Sequence, residues 1–337
     1  MKIGIIGDVH WSKYSSIVRT RGKKYSERLE NCIKSINWAE KITQGCDKII
    51  YVGDFFDSSE LNSEELTALK ELVWNDSPHI FLVGNHELGL NDLSFSSAHL
   101  FDFRGGRVTI DKPCCTCFGN TEICYLPYIV NNSGNIEDYL TKPSDNYKRI
   151  IFSHNDIAGI QLGKYVSQSG FSIENIEANC DLFINGHLHN GNIIGDKIIN
   201  IGNLTGQNFN ENAFNYSHHI GILDTDTLTY ELYDNPYAFN FYKLDTTVTP
   251  VDLTKLKSNS ILTIKVSEEN YDHYKTQVTN CDNIITSRFI IVSSNSNEVN
   301  NNQELISVNH LDKFKSYVID VLGSTDLVLE ELEEVLK

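Results

Sequence analysis

The chain has 337 residues, 40% of them hydrophobic and 10% aromatic, with a formal net charge of −17. Those values describe a globular protein of about two domains with a substantial core. They argue against a surface that binds nucleic acid non-specifically as a whole, and no apolar run reaches the roughly 18–20 residues of a membrane span.

In chain order, Met1-Lys2-Ile3-Gly4-Ile5-Ile6-Gly7 carries one charge and a very short apolar run. It reads as a buried first strand rather than a signal peptide, which predicts an intracellular, cytoplasmic protein with no membrane partner. A helix is predicted over residues 25–42, where Leu29, Ile33, Ile36 and Ala39 fall at helical spacing. Residues 48–52 are the next strand. Ser63 is the expected N-cap of a second helix with Leu66, Leu69, Leu72 and Val73 on one face. Residues 80–83 form a third strand, and this β-α-β-α-β order predicts a parallel sheet with right-handed crossovers. Further strands are expected at 149–153, 181–185, 193–201 and 221–223, with a hairpin turn at Gly195-Asp196. That half reads as the more antiparallel sheet.

A boundary falls within 234–250, where Asn235-Pro236 and residues 246–250 break the pattern. The expected domains are therefore 1–240, a small α/β unit at 241–300 and a helical pair at 304–337. Residues 293–303 are rich in Asn and Ser and read as a loop. Beyond them Leu311, Phe314, Val318 and Val321 mark one helix, and Leu329, Leu332 and Leu336 a second. The helical pair either packs on its own domain or exposes an apolar face to a partner.

Without a secretory signal, the eight cysteines do not predict a disulfide framework. Cys114, Cys115 and Cys117, with Cys124 nearby, are the zinc candidate. Their spacing is not that of paired C-x-x-C, and packed or partly exposed thiols are the preferred reading. Residues 13–28 concentrate positive charge: Lys13, Arg19, Arg21, Lys23, Lys24 and Arg28 stand against Glu27 alone. Arg19, Arg21, Lys23 and Lys24 are candidate phosphate contacts; the other reading is a solvated helix start.

Five motifs carry the chemistry, each following an apolar run: Gly7-Asp8-Val9-His10, Gly53-Asp54-Phe55-Phe56-Asp57, Gly84-Asn85-His86-Glu87, Ser153-His154 and Gly186-His187-Leu188-His189. Ligands gather outside the carboxyl ends of strands in α/β sheets, so all five would meet at one edge. Carboxylate, amide and imidazole donors suit two divalent cations sharing a bridging carboxylate, with Asp54 the expected bridge. Each motif alone has an ordinary reading as a turn, a cap or a core histidine; five in this order are a joint signal. Asp57 is either the orienting partner of a ligand histidine or a surface turn residue. His218-His219 is a weaker metal suggestion beside an ordinary strand.

The motifs resemble the signature of the calcineurin-like metallophosphoesterase superfamily over residues 1 to about 205. The resemblance implies a four-layer α/β/β/α sandwich of two mixed sheets, followed here by the smaller C-terminal α/β domain and terminal helix pair. It implies one cation held by Asp8, His10, Asp54 and His189, and a second by Asp54, Asn85, His154 and His187. Mn²⁺ is the expected metal, with Mg²⁺, Fe²⁺ and Zn²⁺ as alternatives. His86 matches the histidine that contacts the scissile phosphate and protonates the leaving oxygen; Glu87 is expected to support His86.

Trp11 stands where protein phosphatases carry Gly, and the Asp-Arg-Gly continuation of those enzymes is absent after Asp54. The segment from Gly202 through Phe209 to Glu211 is similar to one in double-strand-break repair nucleases, with Asn203 and Asn210 departing from the common Ser and Gly. The nearest resemblance is to SbcD-type nuclease subunits and their bacteriophage recombination-endonuclease counterparts. It implies a DNA exo/endonuclease that dimerises and binds an SMC-like ATPase through its C-terminal helices. A small-molecule phosphodiesterase with the same site is the alternative, and a non-catalytic subunit that kept the fold is a third.

Overall fold

A computed structural model describes residues 1–14, 24–103, 105–130, 139–140, 147–162 and 165–292. Two six-stranded mixed sheets carry the fold. The first has the spatial order Thr229–Asp234, His219–Asp224, Lys2–Ile6, Lys48–Tyr51, His79–Leu82, Arg107–Ile110. From Lys2–Ile6 onward the neighbours are parallel, and the two strands on the other side are antiparallel. The continuous apolar runs follow from burial on both faces. Ile3, Ile5, Ile50 and Val52 face the second sheet, while Ile6, Ile49 and Tyr51 face the helical layer.

The second sheet runs Asn192–Ile194, Ile198–Asn200, Leu182–Asn185, Lys148–Ser153, Thr121–Leu126, Cys114–Phe118. Ile123, Tyr125, Ile150, Phe152 and Ile184 pack against the inner face of the first sheet. Helix Glu27–Ile42 covers the first sheet with Leu29, Cys32, Ile36 and Ala39. Helix Ile173–Asn179 covers the second through Ile176. The layers are α/β/β/α, as the family resemblance implied.

The second sheet departs from the sequence expectation. The turn at Gly195-Asp196 does join an antiparallel pair, but the four central strands run parallel. Their apolar runs are buried on both faces, as parallel strands require. The second helix is shorter than expected, Ser63–Ala68 followed by a 3₁₀ turn, and its N-cap is Asn62 in a capping box with Glu65. Val73 is exposed rather than aligned with Leu72.

A third sheet of Asn240–Asp245, Ser260–Ser267 and Ile284–Val292 is wholly parallel, with helix Tyr271–Asn280 before its last strand. Tyr242, Leu244, Leu262, Ile264 and Tyr274 form its core. Met1–Val292 make one compact unit. The loop at 293–303 and the helical pair at 304–337 lie outside the described residues. No described helix is long and apolar enough to cross a membrane.

Candidate metal centre

Asp8 and His10 follow strand Lys2–Ile6, Asp54 and Asp57 follow Lys48–Tyr51, and Asn85 and His86 follow His79–Leu82. From the second sheet, His154 follows Lys148–Ser153, and His187 and His189 follow Leu182–Asn185. Parallel neighbours end on the same side, so five loops converge on one edge. The turns are tight. His10, Asp54 and His187 hold φ of 49°, 45° and 63°, a region that costs side-chain-bearing residues energy and persists where the surroundings enforce it. A Cβ on Gly84 would stand 2.1 Å from Asp54 Oδ1, so glycine there lets the third loop touch the second.

Ligand atoms of Asp8, His10 and His189 lie within 4.8 Å of one another, as do those of His10, Asp54 and His86 and those of Asp54, His154 and His187. Asp54 Oδ2 sits 3.1 Å from His154 Nε2 and 3.9 Å from His10 Nε2, between the two histidine groups. Asn85 Oδ1 is 3.2 Å from His154 Nε2 and 3.0 Å from His187 Nδ1. The carboxylates and four imidazoles thus point inward.

The outer nitrogens of those histidines are engaged. Asp57 Oδ1 is 3.0 Å from His10 Nδ1, and Glu211 Oε1 is 3.0 Å from His189 Nδ1. His154 Nδ1 lies 2.7 Å from the Val52 carbonyl, and Asp156 Oδ1 is 3.3 Å from His187 Nε2. Each contact selects the tautomer that leaves a lone pair facing the centre. Asp57 thus touches a candidate ligand histidine while its own side chain stays 38% exposed.

Do these residues fit a pair of cations? Asp8 Oδ2 and His10 Nε2 are buried without a hydrogen-bond partner, and buried polar atoms are rarely left so. The electrostatics agree. Burial opposes charge on Asp54, but His154, His10 and His86 hold its carboxyl well below the usual range. Burial likewise opposes a proton on His154, yet Asp54 and Asp8 raise it to about 10. The centre draws positive charge to the place between Asp8 and Asp54. Burial, the largest influence, lowers His10, the direction that favours the neutral imidazole a ligand needs. The donor set fits two divalent ions.

His86 stands at the rim, its side chain 43% exposed, with Nδ1 3.5 Å from Asp57 Oδ1. That contact raises it to about 9. Its backbone N–H donates to Asp54 Oδ1 at 2.9 Å. Glu87 does not support His86 as expected. It is fully buried, and its carboxylate accepts the Phe56 and Gly84 N–H groups at 2.9 and 3.0 Å. Glu87 therefore ties the second motif loop to the third; burial, and then the charge on Asp54, push it up to about 8.

Sequence reading missed Glu211 as a site residue, although it closes the Phe-x-Glu segment already singled out. It is 1% exposed and also accepts the Gln207 N–H at 2.7 Å. His218 is no ligand: Nδ1 meets the Asn203 carbonyl at 3.0 Å and Nε2 stands 3.9 Å from Glu211. His219 lies in strand His219–Asp224. Of the basic stretch, Arg28 is buried and donates to the Val9, His10 and Gly206 carbonyls, bracing the first motif loop. Lys24 pairs with Glu71 at 2.5 Å on the exposed surface. Arg19, Arg21 and Lys23 lie outside the described residues. The thiol reading of the cysteine cluster also changes, because Cys115 and Cys124 form a disulfide across paired strands while Cys114 and Cys117 stay free.

A family model described as calcineurin-like phosphoesterase matches residues 1–191. The chain belongs to the calcineurin-like phosphoesterase family, metal-dependent hydrolases of phosphoesters. Among solved structures, one described as a novel archaeal phosphodiesterase is 17% identical, covering 69% of this chain and 99% of its own, with a TM-score of 0.36. A protein of Thermus thermophilus is 11% identical over 69% of this chain and 98% of its own, with a TM-score of 0.39. No curated protein matches the chain in sequence.

Proposed function

We propose that the protein is a two-metal DNA nuclease, the nuclease subunit of an SMC-like ATPase–nuclease complex in DNA recombination and repair. Mn²⁺ is the proposed metal, and a cytoplasmic homodimer the proposed form. The observation that carries this reading is Glu211. The stretch from Gly202 to Glu211, which resembles the repair nucleases, ends on a buried carboxylate in contact with His189. The specific resemblance is thereby wired into the candidate metal centre rather than standing beside it.

In this reading Asp8, His10, Asp54 and His189 hold one cation, and Asp54, Asn85, His154 and His187 the other. When bound, such a pair supplies Lewis acidity and a nucleophile at neutral pH. His86, with Nδ1 held by Asp57, presents its Nε2–H to the leaving oxygen as general acid. Its exposure at the rim suits a polymeric substrate that approaches from solvent. Arg19, Arg21, Lys23 and Lys24 supply contacts to the DNA phosphates, and residues 304–337 the ATPase-binding segment.

The test is digestion of end-labelled linear DNA with Mn²⁺ by the protein and by its His86→Ala variant. Cleavage by the former and not the latter, with metal binding retained, is expected. Hydrolysis of nucleotides or model diesters with DNA left intact would move the reading to a small-molecule phosphodiesterase, the direction in which the −17 charge leans, or to a nuclease that requires its ATPase partner.

A further inference from the structure

Strand Cys114–Phe118 is the exposed edge of the second sheet, paired antiparallel with Thr121–Leu126. In that register Cys115 stands opposite Cys124 and Cys117 opposite Glu122. Residues two apart on a strand share a face. Cys115, Cys117, Glu122 and Cys124 are therefore one quartet, on the face where Cys124 joins the outer-layer core. Cys114 belongs to the other face.

Strand pairing sets three sulfurs and one carboxylate on one face, with the Cys115 and Cys124 sulfurs bonded to each other. A Glu122 carboxylate oxygen and the Cys115 and Cys124 sulfurs all lie within 4.8 Å of one another. Tetrahedral zinc, with Zn–S near 2.3 Å, sets its ligand sulfurs about 3.8 Å apart. Cys117 is a free, exposed thiol on that face. Arg149 Nε stands 3.0 Å from Glu122 Oε2, so that carboxylate would be shared between the guanidinium and a bound cation. The sequence pattern Cys115-x-Cys117 with Cys124 is not that of a paired C-x-x-C site, which is why spacing alone did not carry the zinc reading. Strand pairing assembles the quartet instead.

We infer that Cys115, Cys117, Cys124 and Glu122 form a second, thiolate-based site for a zinc-type cation, open in the reduced chain and closed by the Cys115–Cys124 disulfide. Opening needs a dithiol reductant. Its two thiols are oxidised to a disulfide, the electron pair cleaves the Cys115–Cys124 bond, and two protons pass to those sulfurs. Cation binding by the three thiols then releases their three protons to solvent. The oxidised pair cannot ligate, so oxidation and metal exclude each other at this hairpin.

The full chain, reduced with dithiothreitol and desalted without oxygen, is titrated with Co²⁺. The candidate catalytic centre offers only oxygen and nitrogen donors, so thiolate-to-cobalt charge-transfer absorption arises from cysteines, and the Cys117→Ser and Cys114→Ser variants assign it to the quartet. The band is expected in the reduced chain, absent from the oxidised one and displaced by Zn²⁺. Cys117→Ser should weaken Co²⁺ binding by roughly tenfold or more, and Cys114→Ser should leave it unchanged. In the unmutated chain, Zn²⁺ should slow iodoacetamide labelling of Cys115, Cys117 and Cys124 but not of Cys114. Absence of the band after reduction, an unaltered band in Cys117→Ser, or equal labelling with and without Zn²⁺ would each overturn the proposal.

Discussion

Replacing Glu211 by Gln tests whether the buried outer ring tunes the metal centre. The carboxylate is 1% exposed, meets His189 Nδ1 at 3.0 Å and accepts the Gln207 N–H at 2.7 Å. An amide of the same size offers one oxygen, so its NH₂ must face one of the two donors. Losing a charge-assisted hydrogen bond costs about 1.5–3 kcal/mol. Independently, removing the partner of a ligand histidine weakens metal binding about 10–100-fold, which is about 1.4–2.7 kcal/mol. The two routes agree, and burial leaves little solvent to screen the charge. The assay is hydrolysis of a chromogenic phosphodiester as a function of Mn²⁺, with Mn²⁺ binding by calorimetry. The Mn²⁺ midpoint should rise about 10–100-fold, while the rate at saturating Mn²⁺ changes much less. A variant that keeps its fold by circular dichroism and also keeps the parental midpoint would refute the role given to Glu211.

Gly84→Ala places a methyl 2.1 Å from Asp54 Oδ1 and 2.4 Å from the Asp54 nitrogen. Displacing that carboxylate by even about 1 Å should lower kcat on the order of 100-fold, and wild-type turnover in the variant would contradict the packing described. Asp57→Asn removes the contact that raises His86 to about 9. A histidine that works as an acid is competent below its pKa, so the alkaline fall of the pH–rate profile should move to lower pH; an unmoved limb would separate Asp57 from His86. Replacing Arg19, Arg21, Lys23 and Lys24 together by Ala should weaken DNA binding and flatten its salt dependence by about 0.9 per lost phosphate contact. Lys24 should contribute least, because Glu71 already holds it. Unchanged affinity and slope would remove this segment from the interface.

What was legible in the sequence depended on the range of the contact. Asp8, Asp54 and Asn85 each follow a strand by two or three residues, so local pattern and one topological rule were enough to bring them together. Glu211 and Asp156 reach their histidines across the fold, from positions 22 and 31 residues distant in sequence, and no period announces such pairs. Glu87 misled for the opposite reason. Adjacency to His86 suggested a partnership, but its side chain turns inward to two backbone N–H groups. Similarly, the parallel centre of the second sheet could not be told from antiparallel strands, because short apolar runs read alike in either arrangement.

The acidity of the chain bears on substrate as much as on solubility. A surface of net charge −17 repels a phosphodiester from afar, yet the repulsion between exposed charges fades beyond about 8–10 Å at ordinary ionic strength. At the centre the balance reverses. Among the seven proposed ligands only Asp8 and Asp54 carry negative charge, and both are buried at 1% exposure or less. Two divalent cations would exceed that pair by two positive charges inside a water-poor edge, where attraction is strongest. Capture of a charged backbone then rests on metal occupancy. Substrate affinity should therefore fall together with metal when the chain is stripped by chelation. Basic residues such as Arg19 and Arg21 would add reach but could not substitute for the cations. If DNA affinity persisted undiminished in the chelated protein, recognition would lie wholly outside the centre, and the basic segment would become the principal contact.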